Sequence, residues 1–352
     1  MKRQQFFFLS SLLLTSLVSL KLVAEIITID GKQHFKEELV PGNVVNTKFL
    51  YPINKQLYSG KSDFQKIEIL NTVDFGKMLV LDGIVQITEK DGFIYSENLC
   101  HLPMFYHPNP EKVLIIGGGD GASLREILKH PVQEVYMVEI DQKVIEISKK
   151  YLPTLSNGAF EDATILNFPP IKPPYIHPNI HPIQKGYLID PSVDFCKKAY
   201  AKVKVIIGDG KEFVKNHKDY FDVIILDLSD PVGPAEDLIS ENFYKDVKSA
   251  LRKDGVISVQ GESLTIQPDL TAKIVGRLKN VFSSVKLHTA VVPTYQSSIF
   301  SFPIASDFDL DKVTLEQVEK KYKELNLDLK YYHPAIHFSS AVLPIYLEKL
   351  LK

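Results

Sequence analysis

The chain from Lys112 onward alternates short, continuous apolar runs with stretches in which apolar residues recur every three to four positions. The first pattern is typical of buried strands and the second of amphipathic helices. Apolar runs occur at VLIIG, VYMVEI, VKVIIGDG, DVIILD, GVISVQ and VKLHTAVV, and helical patterns at SLREILKH, KVIEISKKYL and ENFYKDVKSALRK. This alternation predicts an α/β fold with a doubly wound, Rossmann-like sheet that binds ligands at the carboxyl ends of its strands.

The preceding part of the chain, from Phe35 to about Leu102, has a β-type pattern. Its segments FQKIEILNT and KMLVLDGIVQIT alternate or run apolar, and DFG and DG turns separate them, which is typical of hairpins. We therefore predict a hydrophobic or signal-like segment over residues 1–24, a small antiparallel β domain over 35–105 and a Rossmann-like domain over 106–352.

One segment interrupts the Rossmann-like pattern. After Leu152 the short connection expected before VKVII is replaced by a stretch that contains PPIKPPYIHPNIHP, too rich in proline for a helix or an interior strand. We predict an inserted loop over about residues 157–201. Because it would join the end of a helix to the start of a strand, we expect it on the face opposite the ligand, in an oligomer contact or disordered.

The N-terminus has the pattern of an export signal. Lys2 and Arg3 precede an apolar run over residues 6–20, and Ala24 offers a small residue for cleavage. The run is short for a membrane span. The alternative is an uncleaved hydrophobic extension that packs on the body of the protein or mediates assembly, and the pattern leaves both interpretations open.

Composition excludes several classes of function. Lys and Arg number 41 and Asp and Glu 43, so the net charge of −2 gives no bulk attraction to nucleic acid. The two cysteines, Cys100 and Cys196, form no C-x-x-C pair and no Cys/His spacing suited to zinc. We therefore expect no metal site and no nucleic-acid partner, and we look instead for a site for small molecules.

The segment VLIIGGGDGA carries the strongest functional signal. Gly117, Gly119 and Ala122 satisfy the dinucleotide pattern G-x-G-x-x-G/A, and Glu139, twenty residues after Gly119, is placed to hold ribose hydroxyls. Taken alone, these residues indicate an NAD site. Asp120 argues against it, because a carboxylate there would repel a pyrophosphate. S-adenosylmethionine or its decarboxylated form fits better, which favours a transferase over an oxidoreductase.

Further acidic residues follow the next strands. Asp209 and Gly210 in IIGDG could bind an adenine amino group, or form an ordinary Asp-Gly turn. Asp227 ends the strand DVIILD and Asp230 follows three residues later, before the stiff segment PVGP. Two carboxylates so close to a pocket suit a substrate that carries amines, although Asp230 could instead cap the turn.

Together these segments resemble the spermidine synthase family, the polyamine aminopropyltransferases. The resemblance runs from about Tyr58 to the C-terminus, except for the insert. The segments that carry it are YSGKSDFQKIEI, LVLDGIVQITEKDGFIYSE, VLIIGGGDGASLREILKH, MVEID, IGDG, DVIILDLSDPVGPAE, VQGES, VPTY and YYHPAIHFSSAVLPIYL. It implies a class I methyltransferase-like fold and transfer of an aminopropyl group from decarboxylated S-adenosylmethionine to putrescine, giving spermidine and methylthioadenosine. It also implies a homodimer or homotetramer without a cofactor, since the donor is a co-substrate.

The resemblance also implies roles for individual residues. Asp227 would be the proton acceptor, Asp120 would hold the aminopropyl amine, and Glu139 would hold the ribose. The implied donor site consists of Gln65, Asp120, Glu139, Asp209, Gly210 and Pro234. The implied acceptor site consists of Tyr95, Ser96, Asp120, Asp227, Asp230, Gln260 and Tyr295.

The sequence departs from the family's pattern near the acceptor site. Ser96 replaces the usual His or Gln and Asn98 the usual Met, while the segment Gln296, Ser297, Ser298 replaces Pro-Ser-Gly and Ser301 the common Gly. The acceptor therefore stays open among putrescine, cadaverine, agmatine and spermidine.

Two other functions compete with aminopropyl transfer. One is an amine N-methyltransferase that uses intact S-adenosylmethionine, against which Asp120 argues because it would repel the donor carboxylate. The other is a non-enzymatic nucleoside-binding or assembly protein, against which the Asp227 and Asp230 pair argues. Because the implied donor is a cytosolic metabolite, we expect a cytoplasmic enzyme with an uncleaved N-terminus rather than an exported or membrane-associated one.

Overall fold

The described part of the protein contains two β-sheets, one of six strands and one of eight. The computed structural model describes residues 24–37, 48–161, 163–167, 201–229, 233–296 and 298–351. The side chains of residues 233–235 also lie outside the description. The first sheet is antiparallel, with its strands in chain order: β1 (Glu25–Ile29), β2 (Lys32–Lys36), β3 (Leu50–Lys61), β4 (Lys66–Thr72), β5 (Lys77–Leu81) and β6 (Ile84–Thr88). The predicted small antiparallel domain is confirmed, and its sheet begins at Glu25, upstream of the predicted boundary at Phe35.

The second sheet is doubly wound, as predicted. Its strands are β7 (Lys112–Gly117), β8 (Glu134–Glu139), β9 (Thr164–Asn167), β10 (Lys202–Ile207), β11 (Phe221–Asp227), β12 (Leu251–Val259), β13 (Ser284–Val292) and β14 (Ser298–Ser306). Their order in space is β13-β14-β12-β11-β7-β8-β10-β9, and all but β14 run in the same direction, so β14 is antiparallel to both of its neighbours, β12 and β13. The order reverses at β7, so a crevice opens there at the carboxyl ends of the strands.

Helices cover both faces of this second sheet. They are α1 (Gly92–Tyr106), α2 (Ala122–Leu128), α3 (Gln142–Tyr151), α4 (Pro153–Ser156), α5 (Gly210–Lys215), α6 (Glu241–Ala250), α7 (Pro268–Val281), α8 (Leu315–Leu325), α9 (Pro334–Ser339) and α10 (Ile345–Leu350), with 3-10 turns at Gly233–Ile239 and Leu310–Lys312. Within the described ranges, none of the helices is long and apolar enough to cross a membrane.

The helix α1 lies where the sequence predicted only β structure. It buries 13 of its 15 residues against α2 and the second sheet, and it contains Pro103. A helix buried on every side has no polar stripe, so its sequence lacks the amphipathic period on which the prediction depended. Because α1 packs in the second domain, the boundary between the domains falls near residue 90 rather than at 105.

The predicted insert contains an edge strand. β9 pairs in parallel with β10, with Asn167 beside Ile207 and Ile207 beside Glu139. The chain therefore leaves β9 at the carboxyl edge, where the ligand crevice lies, and the expectation that the insert would lie on the opposite face is wrong at this end. A strand of only four residues, TILN, gives too weak a pattern to be recognised. The proline-rich part, residues 168–200, lies outside the described residues, as does the N-terminal segment 1–23.

A buried polar network joins α1 to α2. His101 Nε2 donates to Glu126 Oε2 at 2.9 Å, and His101 Nδ1 lies 2.9 Å from His130 Nε2. Arg125 and Lys129 each reach the Glu126 carboxylate at 2.7 Å. Burial opposes ionisation of Glu126, but His101 and the two cations outweigh it and hold the pKa of this carboxyl well below its usual range. Glu126 is thus a buried anion that fixes the two helices together.

We predict that Glu126→Ala destabilises the fold by about 3 kcal/mol, because it removes the anion from a buried charge network. The value lies at the lower end for such changes, since Arg125 and Lys129 are 18% and 21% exposed and can turn toward water. Urea denaturation at a fixed protein concentration measures the loss.

The matched control is Glu146→Ala, which removes a carboxylate that pairs with Lys143 at 3.3 Å on the surface of α3. Exposed pairs of this kind contribute less than about 1 kcal/mol. Equal losses for the two variants would contradict a special role for the buried network.

Candidate active site

A cavity of about 560 Å³ lies between the carboxyl ends of the second sheet and strands β5 and β6 of the first. This volume is typical of a site for a small molecule. The acidic residues among its described lining are Glu37, Asp82, Asp120, Glu139, Asp209, Asp227, Asp237 and Glu262. Lys211 is the single lysine or arginine of that described lining, and its Nζ lies 2.8 Å from Asp237 Oδ2. Such a cavity attracts cations and repels the pyrophosphate of a dinucleotide.

The glycine-rich loop after β7 lies directly against β11. Gly117 has a φ of +84°, and a Cβ on it would lie 2.0 Å from the carbonyl oxygen of Asp227. The N–H of Gly118 donates to that same carbonyl at 3.0 Å. A Cβ on Gly119 would lie 2.8 Å from Glu139 Oε2. The glycines are therefore needed because the loop, β8 and β11 meet too closely for any side chain.

Asp120 extends from this loop into the cavity. Its Oδ1 accepts a hydrogen bond from the N–H of Ala122 at 2.7 Å. Burial and the nearby Asp227 carboxylate raise the pKa of Asp120 to about 7, although the Ala122 N–H and the charge of Arg125 act in the opposite direction. A cation bound beside both carboxylates would relieve their repulsion and favour their ionised forms.

Asp227, the last residue of β11, accepts a hydroxyl hydrogen bond on each carboxylate oxygen. Tyr95 Oη donates to Oδ1 at 2.7 Å, and Ser123 Oγ donates to Oδ2 at 2.6 Å. Burial raises the pKa of Asp227, and these two bonds partly offset the increase. Burial and the Asp227 charge raise the pKa of Tyr95 well above its usual range, so Tyr95 stays a neutral donor. Its Oη also lies 3.0 Å from Gln260 Oε1, which brings Gln260 into the same cluster.

Glu139 ends β8 at the opposite side of the glycine-rich loop. Its Oε1 accepts from the N–H of Asp141 at 2.8 Å. Burial raises the pKa of Glu139 to about 7, against the effect of the Asp141 N–H, and neighbouring carboxylates add to the increase. Gln65 lines the cavity beside it, with Nε2 donating to Asp141 Oδ2 at 3.0 Å.

Asp209 and Gly210 form the wall next to Glu139. Asp209 is the N-cap of α5, where its Oδ1 accepts from the N–H of Lys211 at 2.8 Å, and it also lines the cavity. A Cβ on Gly210 would lie 2.3 Å from Ile116 Cγ2. Close packing of α5 on β7 therefore accounts for this glycine, while Asp209 both caps α5 and lines the cavity.

The loop after β13 closes the other end of the cavity and is tied to the first sheet. Tyr295 Oη donates to the carbonyl of Gln86, and Gln296 Nε2 donates to Glu37 Oε2 at 3.0 Å. The rings of Tyr295 and Tyr95 meet edge to face with centroids 5.7 Å apart. The small β domain thus holds the wall that faces Asp227.

The structure brings most of the predicted site residues to this cavity. The residues that line it are Gln65, Tyr95, Asp120, Glu139, Asp209, Gly210, Asp227, Gln260 and Tyr295. Ser96 does not, contrary to the prediction: it is fully buried, and its Oγ donates to the carbonyl of Gly92 at 3.2 Å. Neighbouring residues on a helix point about 100° apart, so Ser96 points away when Tyr95 faces the cavity. Asp230 and the side chain of Pro234 lie outside the described residues.

Several residues of the site were not predicted from the sequence, among them Glu37, Glu262 and Ser123. Glu37 and Glu262 line the cavity, and Ser123 bonds to Asp227 from behind it. Glu262 lies two residues after Gln260 in VQGES, which was a usable signal, whereas Glu37 and Ser123 occupy positions typical of surface or helix residues. Across the described ranges, no group of three or more His, Cys, Asp or Glu side chains is arranged to hold a metal ion.

Two protein-family models match this chain, one in each of its two described sheets. The model of the spermine/spermidine synthase domain matches residues 92–166 and 183–317, and that of the spermidine synthase tetramerisation domain matches 41–89. The unmatched residues between 166 and 183 include the whole proline-rich run.

Curated relatives and solved structures cover most of the chain. A polyamine aminopropyltransferase of Thermoanaerobacter sp. (strain X514) is 38% identical over 87% of this chain and 95% of its own length. One from Clostridium tetani is 36% identical over 89% of this chain and 96% of its own length.

Among solved structures, a spermidine synthase in complex with the transition state analogue AdoDATO is 36% identical. It has a TM-score of 0.72 and covers 87% of this chain and 91% of its own. The spermidine synthase from Thermotoga maritima is 35% identical, with a TM-score of 0.69 over 87% and 90% of the two chains. The chain therefore belongs to the spermine/spermidine synthase family, a family of aminopropyltransferase enzymes.

Proposed function

We propose that the protein transfers an aminopropyl group from decarboxylated S-adenosylmethionine to putrescine, giving spermidine and methylthioadenosine. The observation that carries the proposal is the pair of carboxylates Asp120 and Asp227 in one acidic cavity. The donor carries a sulfonium and an ammonium, and the diamine carries two ammonium groups at neutral pH. Family membership supports this reaction class, and the acidic lining supports cationic substrates.

The nucleoside part of the donor would occupy the side of the cavity formed by β7, β8 and β10. Glu139 would accept hydrogen bonds from the ribose hydroxyls, and Asp209 with Gly210 would bind the adenine amino group. Gln65 and Pro234 would complete this side. Asp120 would pair with the aminopropyl ammonium, while intact S-adenosylmethionine would add a carboxylate at that position. This repulsion favours the decarboxylated donor and disfavours methyl transfer.

Asp227 would accept the proton that the acceptor amine must lose. A primary amine with a pKa near 10 is protonated at pH 7, and freeing its lone pair costs about 4 kcal/mol. The nitrogen then attacks the carbon next to sulfur, the carbon–sulfur bond breaks, and its electron pair stays on sulfur as a neutral thioether. Tyr95, Gln260, Tyr295 and Asp230 would orient the amine, and such positioning can supply about 7 kcal/mol of the barrier reduction.

Assembly and location complete the proposal. The match of residues 41–89 to a tetramerisation domain supports a homo-oligomer, which sedimentation analysis of the 39.8 kDa chain would measure. We infer a cytosolic enzyme because the donor is made in the cytosol. Cell fractionation with N-terminal sequencing tests this, and a mature chain that starts at Glu25 in a secreted fraction would contradict it.

The direct test is methylthioadenosine release from decarboxylated S-adenosylmethionine with a panel of amines. We expect turnover with putrescine to exceed that with cadaverine, agmatine or spermidine, and no turnover with intact S-adenosylmethionine. Absence of product with every amine, or methylated amine formed from intact donor, would refute the proposed function. Preference for another amine would retain the reaction and change the acceptor.

Asp227→Asn is expected to lower kcat about a hundredfold or more, because it removes the proton acceptor and keeps the shape of the side chain. Methylthioadenosine should bind as it does to the wild type, as calorimetry can measure. The matched control is Asp219→Asn, an exposed residue near the other end of β11 with a positive φ that asparagine tolerates. Near-normal kcat for Asp227→Asn would remove Asp227 from the proton transfer.

Donor binding is expected to strengthen as the pH rises through about 7, the pKa of Asp120 in the empty cavity. Below that pH the carboxyl is protonated and cannot pair with the donor ammonium, so the ratio of the donor KM to the Kd of methylthioadenosine should fall about tenfold between pH 6 and pH 8. Methylthioadenosine lacks the aminopropyl group and reports only the Glu139 side, so its Kd over the same range is the reference. A constant ratio of donor KM to this Kd would contradict the role of Asp120.

A further inference from the structure

Ser123 occupies an unusual position for a helix serine. It lies in the first turn of α2, directly after the glycine-rich loop, and is 0% exposed. The N-cap of this helix is Gly121, and no side chain caps it. The Ser123 hydroxyl points instead across to β11, where it donates to Asp227 Oδ2 at 2.6 Å. The hydroxyl is thus engaged with the site while it lies outside the described cavity lining.

Each carboxylate oxygen of Asp227 accepts one hydrogen bond from a hydroxyl group. Tyr95 takes one site on Oδ1 and Ser123 takes one site on Oδ2. An ionised carboxylate has about four acceptor sites, so each oxygen retains capacity for an incoming amine. With one donor on each oxygen, rotation of the carboxylate about its last bond is restricted, which fixes the direction in which it accepts a proton.

The charges around Asp227 make a neutral donor necessary. Cys100 and Tyr95 on α1, Asp120 in the glycine-rich loop and Glu139 on β8 all interact with the Asp227 charge. Burial favours protonation of Asp227, and a protonated Asp227 could not receive the amine's proton. A lysine beside it would restore ionisation but would also repel the substrate ammonium. A hydroxyl stabilises the anion while the negative charge of the cavity is preserved.

We propose that Ser123 is a positioning residue for proton transfer, whose hydroxyl holds the Asp227 carboxylate ionised and oriented toward the acceptor amine. This inference rests on the proposed function. It adds Ser123 to the residues that the proposed reaction needs. In this role Ser123 touches neither substrate and acts only through Asp227.

The experiment compares Ser123→Ala with the wild type by measuring kcat from pH 6 to pH 10 with decarboxylated S-adenosylmethionine and putrescine. Ser123→Ala removes a hydrogen bond to the charged form of Asp227. The acid side of the kcat profile, where kcat falls as Asp227 becomes protonated, should therefore shift to higher pH by about one to two units. On the alkaline side, where Asp227 is ionised in both enzymes, kcat should return to within a few-fold of the wild type. The Kd for methylthioadenosine should stay unchanged.

Three further variants separate positioning from structure. Ser123→Thr keeps the hydroxyl and should keep the wild-type pH profile. Ser123→Cys keeps the size but has a weak donor, so it should shift the profile in the same direction as Ser123→Ala and replaces that variant if the latter does not fold. Ser148→Ala is the matched control, because its buried hydroxyl on α3 has no hydrogen-bond partner among the described residues, and its profile should match the wild type.

Two outcomes would overturn the inference. If the wild type is active and Ser123→Ala has the same acid side of the kcat profile, Ser123 does not act on Asp227, and the proposed function stands. A uniform loss of kcat at every pH, without a shift of the profile, would show that Ser123 does not keep Asp227 ionised, and would also overturn the inference while the proposed function stands. If the wild type releases no methylthioadenosine with any amine, the proposed function fails and the inference fails with it.

Discussion

The crowding of carboxylates at the carboxyl edge of the second sheet is the constraint on which the rest of the site depends. Asp120, Glu139 and Asp227 come from three neighbouring segments, and burial raises the pKa of each. The Asp227 charge also raises the pKa of Asp120, and both of these carboxylates raise that of Glu139. Desolvated like charges are unfavourable in the absence of a ligand. The fold maintains them with backbone N–H groups, with hydroxyls and with a glycine-rich loop that brings the strands close together.

The helix α1 supplies part of the hydrogen bonding that these carboxylates require. It presents Tyr95 to Asp227 and, less than two turns later, His101 to Glu126 on α2. α2 in turn places Ser123 against Asp227. The two hydroxyl donors therefore come from two helices that a buried ionic network holds in fixed relation. The stability of that network and the geometry of the site are consequently linked, although Glu126 itself does not belong to the described lining of the cavity.

The sequence predicted those elements whose local pattern of apolar residues or glycines matches their position in the folded protein. The strands that end in Glu139 and Asp227 are apolar runs, and the glycine-rich loop has a spacing that only close approach explains. The helix α1 and the edge strand β9 were missed because a fully buried helix has no period and a four-residue strand has almost no pattern. Ser96 was misplaced because a resemblance gives the position on the chain and not the direction of the side chain. Ser123 was missed because its role depends on a contact across 104 residues.

The same arrangement favours exchange of the nucleoside product for a new donor in the proposed reaction. The proposed donor carries a sulfonium and an ammonium, whereas methylthioadenosine would leave as a neutral thioether without an aminopropyl group. The carboxylates therefore attract the donor more strongly than the nucleoside product, and the difference in charge is largest at Asp120. Because burial makes the cavity a medium of low dielectric, this difference weighs more than it would in water. In the proposed reaction, an acidic cavity whose carboxylates are held by neutral donors would bind the charged donor more tightly than the uncharged nucleoside product.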